Sequence, residues 1–236
     1  MPQKLSIIIP SYNEEKTIIT LLDKVIRVYL INDIQKELII IDDGSKDATS
    51  RIVTEYMQNH PHETIKLISH NINQGKGMAI RTGIENATGD FIIIQDADLE
   101  YEPEDYNRLL SVLITRHDLV VYGSRFLMKE NKHSYISFYL GGLFVTAVTN
   151  ILYGQCLTDE PTCYKAFDSK LLKSIPLKCT GFEFCPEVTA KVAKQGIIIK
   201  EIPIHYYPRS ICEGKKIRWT DGLFAIWTLL KYRFTN

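Results

Sequence analysis

The chain has 236 residues, 45% of them hydrophobic and 24% charged, with 28 basic against 28 acidic side chains. A chain of that length and apolar share buries a full core, which excludes an intrinsically disordered protein. Formal neutrality excludes a general nucleic-acid binder, which would be basic overall.

Leu5 to Pro10 is a short, continuous, Ile-rich run. Glu37 to Ile41, Ile65 to Ser69, Phe91 to Ile94 and Leu119 to Tyr122 are four more. Runs of this kind suit strands covered on both faces of a mostly parallel sheet. Helical spacing fills the gaps. Glu15 to Leu30 places Ile18, Leu21, Leu22, Val25 and Ile26 on one face. Ala48 to Gln58, Lys76 to Asn86 and Pro103 to Thr115 follow the second, third and fourth strands. The alternation predicts a layered α/β fold with right-handed crossovers.

After Arg125 the pattern changes. Lys129 to His133 is a polar loop. Tyr135 to Tyr153 is apolar but interrupted by Gly141, Gly142, Thr146, Thr149 and Asn150. It has the length of a membrane span without uniform apolarity, so one or two buried or interfacial helices are expected. Thr158 to Phe167 reads as a loop entering a strand. Glu187 to Gln195 reads as a helix, Ile197 to Tyr206 as an edge strand marked by Pro203, and Trp219 to Tyr232 as a final amphipathic helix. No repeat or linker divides the chain, so one domain over residues 1–236 is expected. No signal peptide is expected, because no cationic segment precedes a long apolar core. The cysteines, at 156, 163, 179, 185 and 212, are odd in number and form no C-x-x-C pair. They predict reduced thiols in a cytoplasmic protein rather than a disulfide framework or a zinc knuckle.

Ligands in open α/β sheets bind at the carboxyl ends of the strands. All five of the first runs end in polar, charged or turn-forming residues: Pro10-Ser-Tyr-Asn-Glu14, Asp42-Asp-Gly-Ser45, Asn73-Gln-Gly-Lys-Gly77, Asp96-Ala-Asp98 and Gly123-Ser-Arg125. Two carboxylates one residue apart at the end of a buried strand can converge on one hard cation such as Mg²⁺ or Mn²⁺. A solvated acidic turn is the other reading of Asp96 and Asp98, because Glu102, Glu104 and Asp105 follow. Asp42 and Asp43 suit a ribose or base contact, or the capping of a helix near Asp47. Lys76 suits a phosphate, or the surface of a tight turn. Neither G-x-x-x-x-G-K-[ST] nor G-x-G-x-x-G is present, which disfavours a P-loop and a dinucleotide cofactor. From His205 onward, six cations (Arg209, Lys215, Lys216, Arg218, Lys231 and Arg233) face two anions (Glu213 and Asp221). That surplus is a solvated surface or a site for phosphates and lipid head groups.

Taken in order, Ile7-Ile-Ile-Pro-Ser-Tyr-Asn-Glu-Glu15, Ile41-Asp-Asp-Gly-Ser45, Asn73-x-Gly-Lys-Gly77, Gln95-Asp-Ala-Asp-Leu-Glu100 and Tyr122-Gly-Ser-Arg125 resemble the family 2 glycosyltransferases. Thr158-Asp159, Gly181-Phe-Glu-Phe184 with Glu187, and Ile202-Pro-Ile-x-Tyr-Tyr-Pro-Arg209 with Glu213-Gly-Lys-Lys216 are similar to the branch that makes dolichyl-phosphate mannose and glucose. The resemblance covers about residues 4 to 233. It implies a Rossmann-like nucleotide-sugar fold of GT-A type. Residues 1–126 would form the nucleotide-sugar-binding half, and residues 127–236 the acceptor half with interfacial helices.

The resemblance also implies site residues. Pro10, Tyr12 and Glu14 would hold the nucleoside, and Asp42 with Asp43 the base or ribose. Asp96, Ala97 and Asp98 would meet the donor, with Asp96, Asp98 and Glu100 around the divalent metal. Arg125, beside Ser124, would lie against phosphates, and Lys76, Arg209 and Lys215 would hold the diphosphate or the lipid phosphate. Asp159 and Glu187 would approach the sugar or acceptor, with Asp98, Arg125, Asp159 and Arg209 as the catalytic set. The implied reaction is inverting, metal-dependent transfer of a hexose from GDP-mannose or a UDP-glucose type donor to polyprenyl or dolichyl phosphate. A glycan acceptor, or a non-catalytic nucleotide-sugar binder, is the alternative. Many relatives carry C-terminal membrane helices. Here membrane contact is expected at the cytoplasmic face, through Tyr135 to Tyr153 and the Trp219 segment or through a partner membrane protein.

Overall fold

The computed structural model describes residues 3–132, 135–210, 216 and 219–235. Seven strands form one sheet: β1 (Lys4–Ser11), β2 (Gln35–Asp42), β3 (Ile65–Ser69), β4 (Phe91–Ile94), β5 (Leu119–Ser124), β6 (Lys165–Asp168) and β7 (Ile198–Pro203). The spatial order is β3-β2-β1-β4-β6-β5-β7. β6 runs antiparallel to both β4 and β5, and the remaining pairings are parallel. The first five strands match the apolar runs of the sequence. β7 lies at the sheet edge, where Pro203 costs no ladder hydrogen bond.

The helices among the described residues are α1 (Ile18–Arg27), α2 (Thr49–Asn59), α3 (Lys76–Asn86), α4 (Tyr106–Leu113), α5 (Ile136–Tyr153), α6 (Ser169–Ser174), α7 (Phe184–Lys194) and α8 (Trp219–Phe234). Side chains on a strand alternate between faces. Ile7 and Ile9 of β1 therefore pack with α1, α2 and α4, while Ile8 packs with α3, α6 and α7. This two-sided burial explains why the strands read as unbroken apolar runs. α1 is shorter than the spacing predicts, because Glu14 turns the chain: its carbonyl accepts from Thr17 and Ile18. The strand expected over Ile197 to Tyr206 ends at Pro203. Beyond it the chain leaves β5 and meets Tyr101 through an isolated bridge at Tyr206.

α5 is one continuous helix, not two. It touches α7 and α8, and it buries only Val145, Thr146 and Thr149. Ile136, Leu140, Phe144 and Ile151 are exposed. By length and composition alone the helix could cross a membrane.

Glu37 ties the base of β2 to the turn before β4. Its carboxylate accepts from Ser6 Oγ, from Thr88 N and Oγ1 at 2.6 Å each, and from Gly89 N at 3.0 Å. Burial pushes the carboxyl up, but the hydrogen bonds from Ser6 and Thr88 outweigh it and hold Glu37 below 4.5. Because the folded value is depressed, this contribution is present above pH 4.5 and lost as the pH falls further. Glu37→Gln sets an amide donor against these donors. It is expected to lower stability by about 1–3 kcal/mol in urea unfolding at neutral pH, with the difference from wild type shrinking in acid.

Candidate active site

The site lies at the carboxyl ends of β1, β2, β4 and β5. Buried Gln95 fixes the acidic turn. Its Oε1 accepts from Tyr106 and Tyr164 hydroxyls at 2.5 Å each, and its Nε2 donates to the Asp96 carbonyl at 2.9 Å. Leu99 takes a positive φ of 63°, which turns the chain sharply after Asp98. Ala97 is buried in the core, so only its backbone can approach a ligand.

Cations are threaded between the carboxylates. Lys76 is no exposed turn residue: its Nζ lies 2.5 Å from Asp96 Oδ1 and 3.2 Å from Cys163 Sγ. Arg209 reaches Asp98 Oδ2 at 3.2 Å and Glu14 Oε1 at 3.5 Å. Lys216 contacts Glu14 Oε1 at 2.6 Å and also donates to the Tyr12 carbonyl. The Nε of Arg209 is buried and has no hydrogen-bond acceptor among the described residues. Buried donors are normally paired, so this one marks a place for an anionic oxygen.

Electrostatics separate the two aspartates. Burial raises Asp96, but the Lys76 ammonium overrides it and holds the carboxyl below its ordinary range. Asp98 is pushed up to about 7 by burial and by the charges of Asp96 and Glu100. Among the described residues, Arg209 and Lys76 do not offset the burial and the acidic neighbours of Asp98. Two hard oxygen donors one residue apart, Asp98 with unmet negative charge, fit Mg²⁺ or Mn²⁺. Glu100 stands close enough for its charge to act on Asp98. Its oxygens accept from Tyr206 hydroxyl at 3.1 Å and from Arg209 N at 2.8 Å, so it anchors the segment that carries Arg209. Among the described residues no group of three acidic, His or Cys side chains is arranged for a metal.

At the ends of β1 and β2 lies a cavity of about 590 Å³ lined by residues including Tyr12, Asp42, Ser45, Asn71 and Asn73. Pro10 stands half-buried at the end of β1. Asp42 faces this cavity, and its Oδ1 accepts from Ser45 N at 3.1 Å. Asp43 turns instead into the glycine loop, accepting from Gln74 N at 2.9 Å and Gly75 N at 2.8 Å, with His70 Nδ1 at 2.7 Å. Neither aspartate caps α2: Asp47 accepts from Thr49 N at 3.0 Å there. Gly75 has a φ of +95°, and a Cβ on it would meet the Thr180 carbonyl at 2.3 Å. The glycine lets the loop lie on the 178–181 segment and brings Lys76 to Asp96.

Two expected acceptor residues are committed elsewhere. Asp159 is fully buried and clamps Arg125, accepting from Nε and Nη2 at 2.7 Å each and from the backbone N at 2.9 Å. Glu187 is fully buried, paired with Lys191 and accepting from Lys178 N and Cys179 N. Asp159 therefore positions Arg125, while Glu187, for all its internal pairing, also lines the groove between the 178–183 segment and α8. Ser124 is buried too, 2.6 Å from Thr158 Oγ1. Lys215 lies outside the described residues. Cys163 and His70 were not singled out from the sequence as site residues, and Phe182 and Tyr206 stood inside quoted motifs without a role. Their partners come from distant parts of the chain, so local spacing does not reveal what they touch.

The chain is similar to known proteins in sequence and in fold. Residues 6–174 match the family described as Glycosyl transferase family 2. Dolichyl-phosphate beta-glucosyltransferase of Dictyostelium discoideum is 31% identical over 86% of this chain, which spans 66% of that protein's length. UDP-N-acetylglucosamine–dolichyl-phosphate N-acetylglucosaminyltransferase of Methanococcus voltae is 31% identical over 95% of both chains. Glucosyl-3-phosphoglycerate synthase from Mycobacterium tuberculosis, solved with Mn²⁺, UDP and phosphoglyceric acid, superposes with a TM-score of 0.72. It covers 99% of this chain and 80% of its own at 19% identity, a likeness of fold. With an acidic pair on a GT-A sheet and two thirds of its length matching one family, the chain belongs to glycosyl transferase family 2.

Proposed function

We propose that this glycosyltransferase moves a hexose from a nucleotide sugar to a polyprenyl phosphate of the dolichyl type, with inversion and with Mg²⁺ or Mn²⁺ at Asp96 and Asp98. The observation that carries the reading is the buried Nε of Arg209 beside Asp98, which has no acceptor among the described residues. A diphosphate oxygen would satisfy it. The relatives' names favour a lipid phosphate acceptor, and the M. voltae protein's name favours a UDP donor.

The nucleoside would occupy the cavity along Tyr12 and Asp42, with its diphosphate toward Arg209 and Lys76. The bound metal would neutralise charge on the leaving diphosphate. A lipid phosphate is already an anion, so it needs no strong general base. Its oxygen forms the new bond to the anomeric carbon as the bond to the diphosphate oxygen breaks. Lys76, Arg125 and Arg209 would hold the two anionic groups in line against their repulsion.

The acceptor's chain has a path. A groove of about 490 Å³ lies between the 178–183 segment and α8, with Phe182, Phe224 and Trp227 on its walls and Lys178 and Lys231 among its lining residues. Phe182 links it to the reaction centre, its ring centroid 5.7 Å from Lys76 Nζ. Trp219, Leu223 and Phe234 extend an exposed apolar surface along α8. With the exposed face of α5 this surface would rest at the cytoplasmic side of a membrane, directly or beside a membrane protein.

The test is transfer of labelled sugar from a panel of UDP and GDP donors into the organic phase, with long polyprenyl phosphate, Mn²⁺ or chelator. Metal-dependent transfer from one donor is expected. Label that goes only to a water-soluble acceptor would sink the lipid assignment. Trp227→Ala is expected to raise KM for the long-chain lipid about tenfold or more, the cost of one large apolar contact. Its KM for a short isoprenyl phosphate should change little.

A further inference from the structure

We propose that Glu201 is a positioning residue for glycosyl transfer, acting on Arg125 through the Thr158–Asp159 turn. The inference rests on the reading of Arg125 as a group that faces substrate phosphate.

Glu201 sits on β7, level with Tyr122 of β5 in the sheet register. Its Oε2 accepts from Thr158 N at 2.7 Å and from Thr158 Oγ1 at 2.9 Å, and its Oε1 accepts from Asp159 N at 2.9 Å. Three donors thus converge on one carboxylate, a side chain that offers acceptors only. Both Thr158 and Asp159 are fixed at the backbone, and the next link follows at once. Asp159 holds Arg125 by two parallel bonds of 2.7 Å and a third to its backbone. A paired guanidinium and carboxylate of this kind fixes direction as well as distance.

The far side of Arg125 is held by the same strand's continuation. The guanidinium lies 5.1 Å from the Tyr206 ring centroid, and Tyr206 bonds to Glu100. Asn131 joins the two, donating to the Arg125 and Ile204 carbonyls at 2.8 Å each. Arg125 therefore has little freedom of its own. Its orientation is set by Asp159, and Asp159 is set by Glu201. In-line attack depends on such placement, where a shift of about 1 Å costs on the order of a hundredfold in rate. Glu201 touches no substrate in this arrangement, so its effect must pass through Arg125.

The experiment compares Glu201→Gln, Arg125→Ala and the double variant in the transfer assay, with KM measured separately for donor and lipid phosphate. Glu201→Gln keeps shape while placing an amide donor against three donors. Circular dichroism and thermal melting establish that each protein is folded at the assay temperature. Glu201→Gln is expected to lower kcat/KM for the lipid phosphate about 10–100-fold with donor KM within twofold. In the Arg125→Ala background it should cause no further loss, because residues in one network are not additive. Losses that multiply in the double variant would overturn the proposal, as would full activity of Glu201→Gln beside an impaired Arg125→Ala. Full activity of Arg125→Ala would instead overturn the reading of Arg125 on which the proposal stands.

Discussion

Asp96→Asn is expected to lower sugar transfer by about 10²–10³-fold and to remove most of the protein's affinity for Mn²⁺. The carboxylate is at the end of β4, its backbone carbonyl held by Gln95 and its side chain aimed at Lys76. An amide keeps the shape but presents half the acceptor capacity and no charge. A second effect must be separated from the first. Lys76 is largely enclosed, and burial opposes its charge while Asp96 supports it. Removing the carboxylate leaves a buried ammonium without its partner, which costs about 3–5 kcal/mol in comparable buried pairs. Lys76→Met combined with Asp96→Asn removes that orphan charge. Stability should then recover while Mn²⁺ affinity, read by electron paramagnetic resonance, stays low. Wild-type Mn²⁺ binding by Asp96→Asn would sink the metal assignment whatever happened to the activity.

The first five strands and the polar turns that follow them were legible because they obey local rules. An apolar run followed by a turn rich in Asp, Gly and Ser says both strand and crevice, and five such ends converge in the folded chain. What was not legible depends on partners far apart in sequence. β6 has four residues, and nothing in Lys165–Asp168 states that it inserts antiparallel between β4 and β5. Asp42 and Asp43 are adjacent and chemically identical, yet one faces a cavity and the other anchors a loop thirty residues on. Asp159 and Glu187 show the same limit. Their resemblance to acceptor residues is a matter of position, whereas burial against Arg125 and Lys191 is a matter of tertiary packing. Glu201 left a faint trace: a charged residue in a strand directly before buried Ile202. Many edge strands carry such a charge for solubility, so the pattern alone assigns no role.

Arg209→Ala should raise KM for the nucleotide sugar and lower kcat together, for a combined loss of about 10²–10³-fold. The side chain is only 13% exposed, and its two terminal nitrogens already touch Asp98 and Glu14. Those contacts order the guanidinium before any donor arrives, while Nε has no acceptor among the described residues. The backbone of the same residue donates to Glu100, so truncating the side chain leaves that anchor in place. Lowered activity would then report the lost guanidinium rather than a displaced segment. Arg209→Lys is expected to restore little of it. An ammonium supplies one compact charge and cannot serve Asp98, Glu14 and a phosphate oxygen from three directions at once. Binding of the free nucleoside diphosphate separates this from an acceptor role. If Arg209 meets the donor, affinity for the diphosphate falls with the side chain while affinity for the nucleoside alone does not. Unchanged diphosphate affinity would move Arg209 to the lipid phosphate, and the two anions would then be held by different cations, with Lys76 left as the donor's main contact.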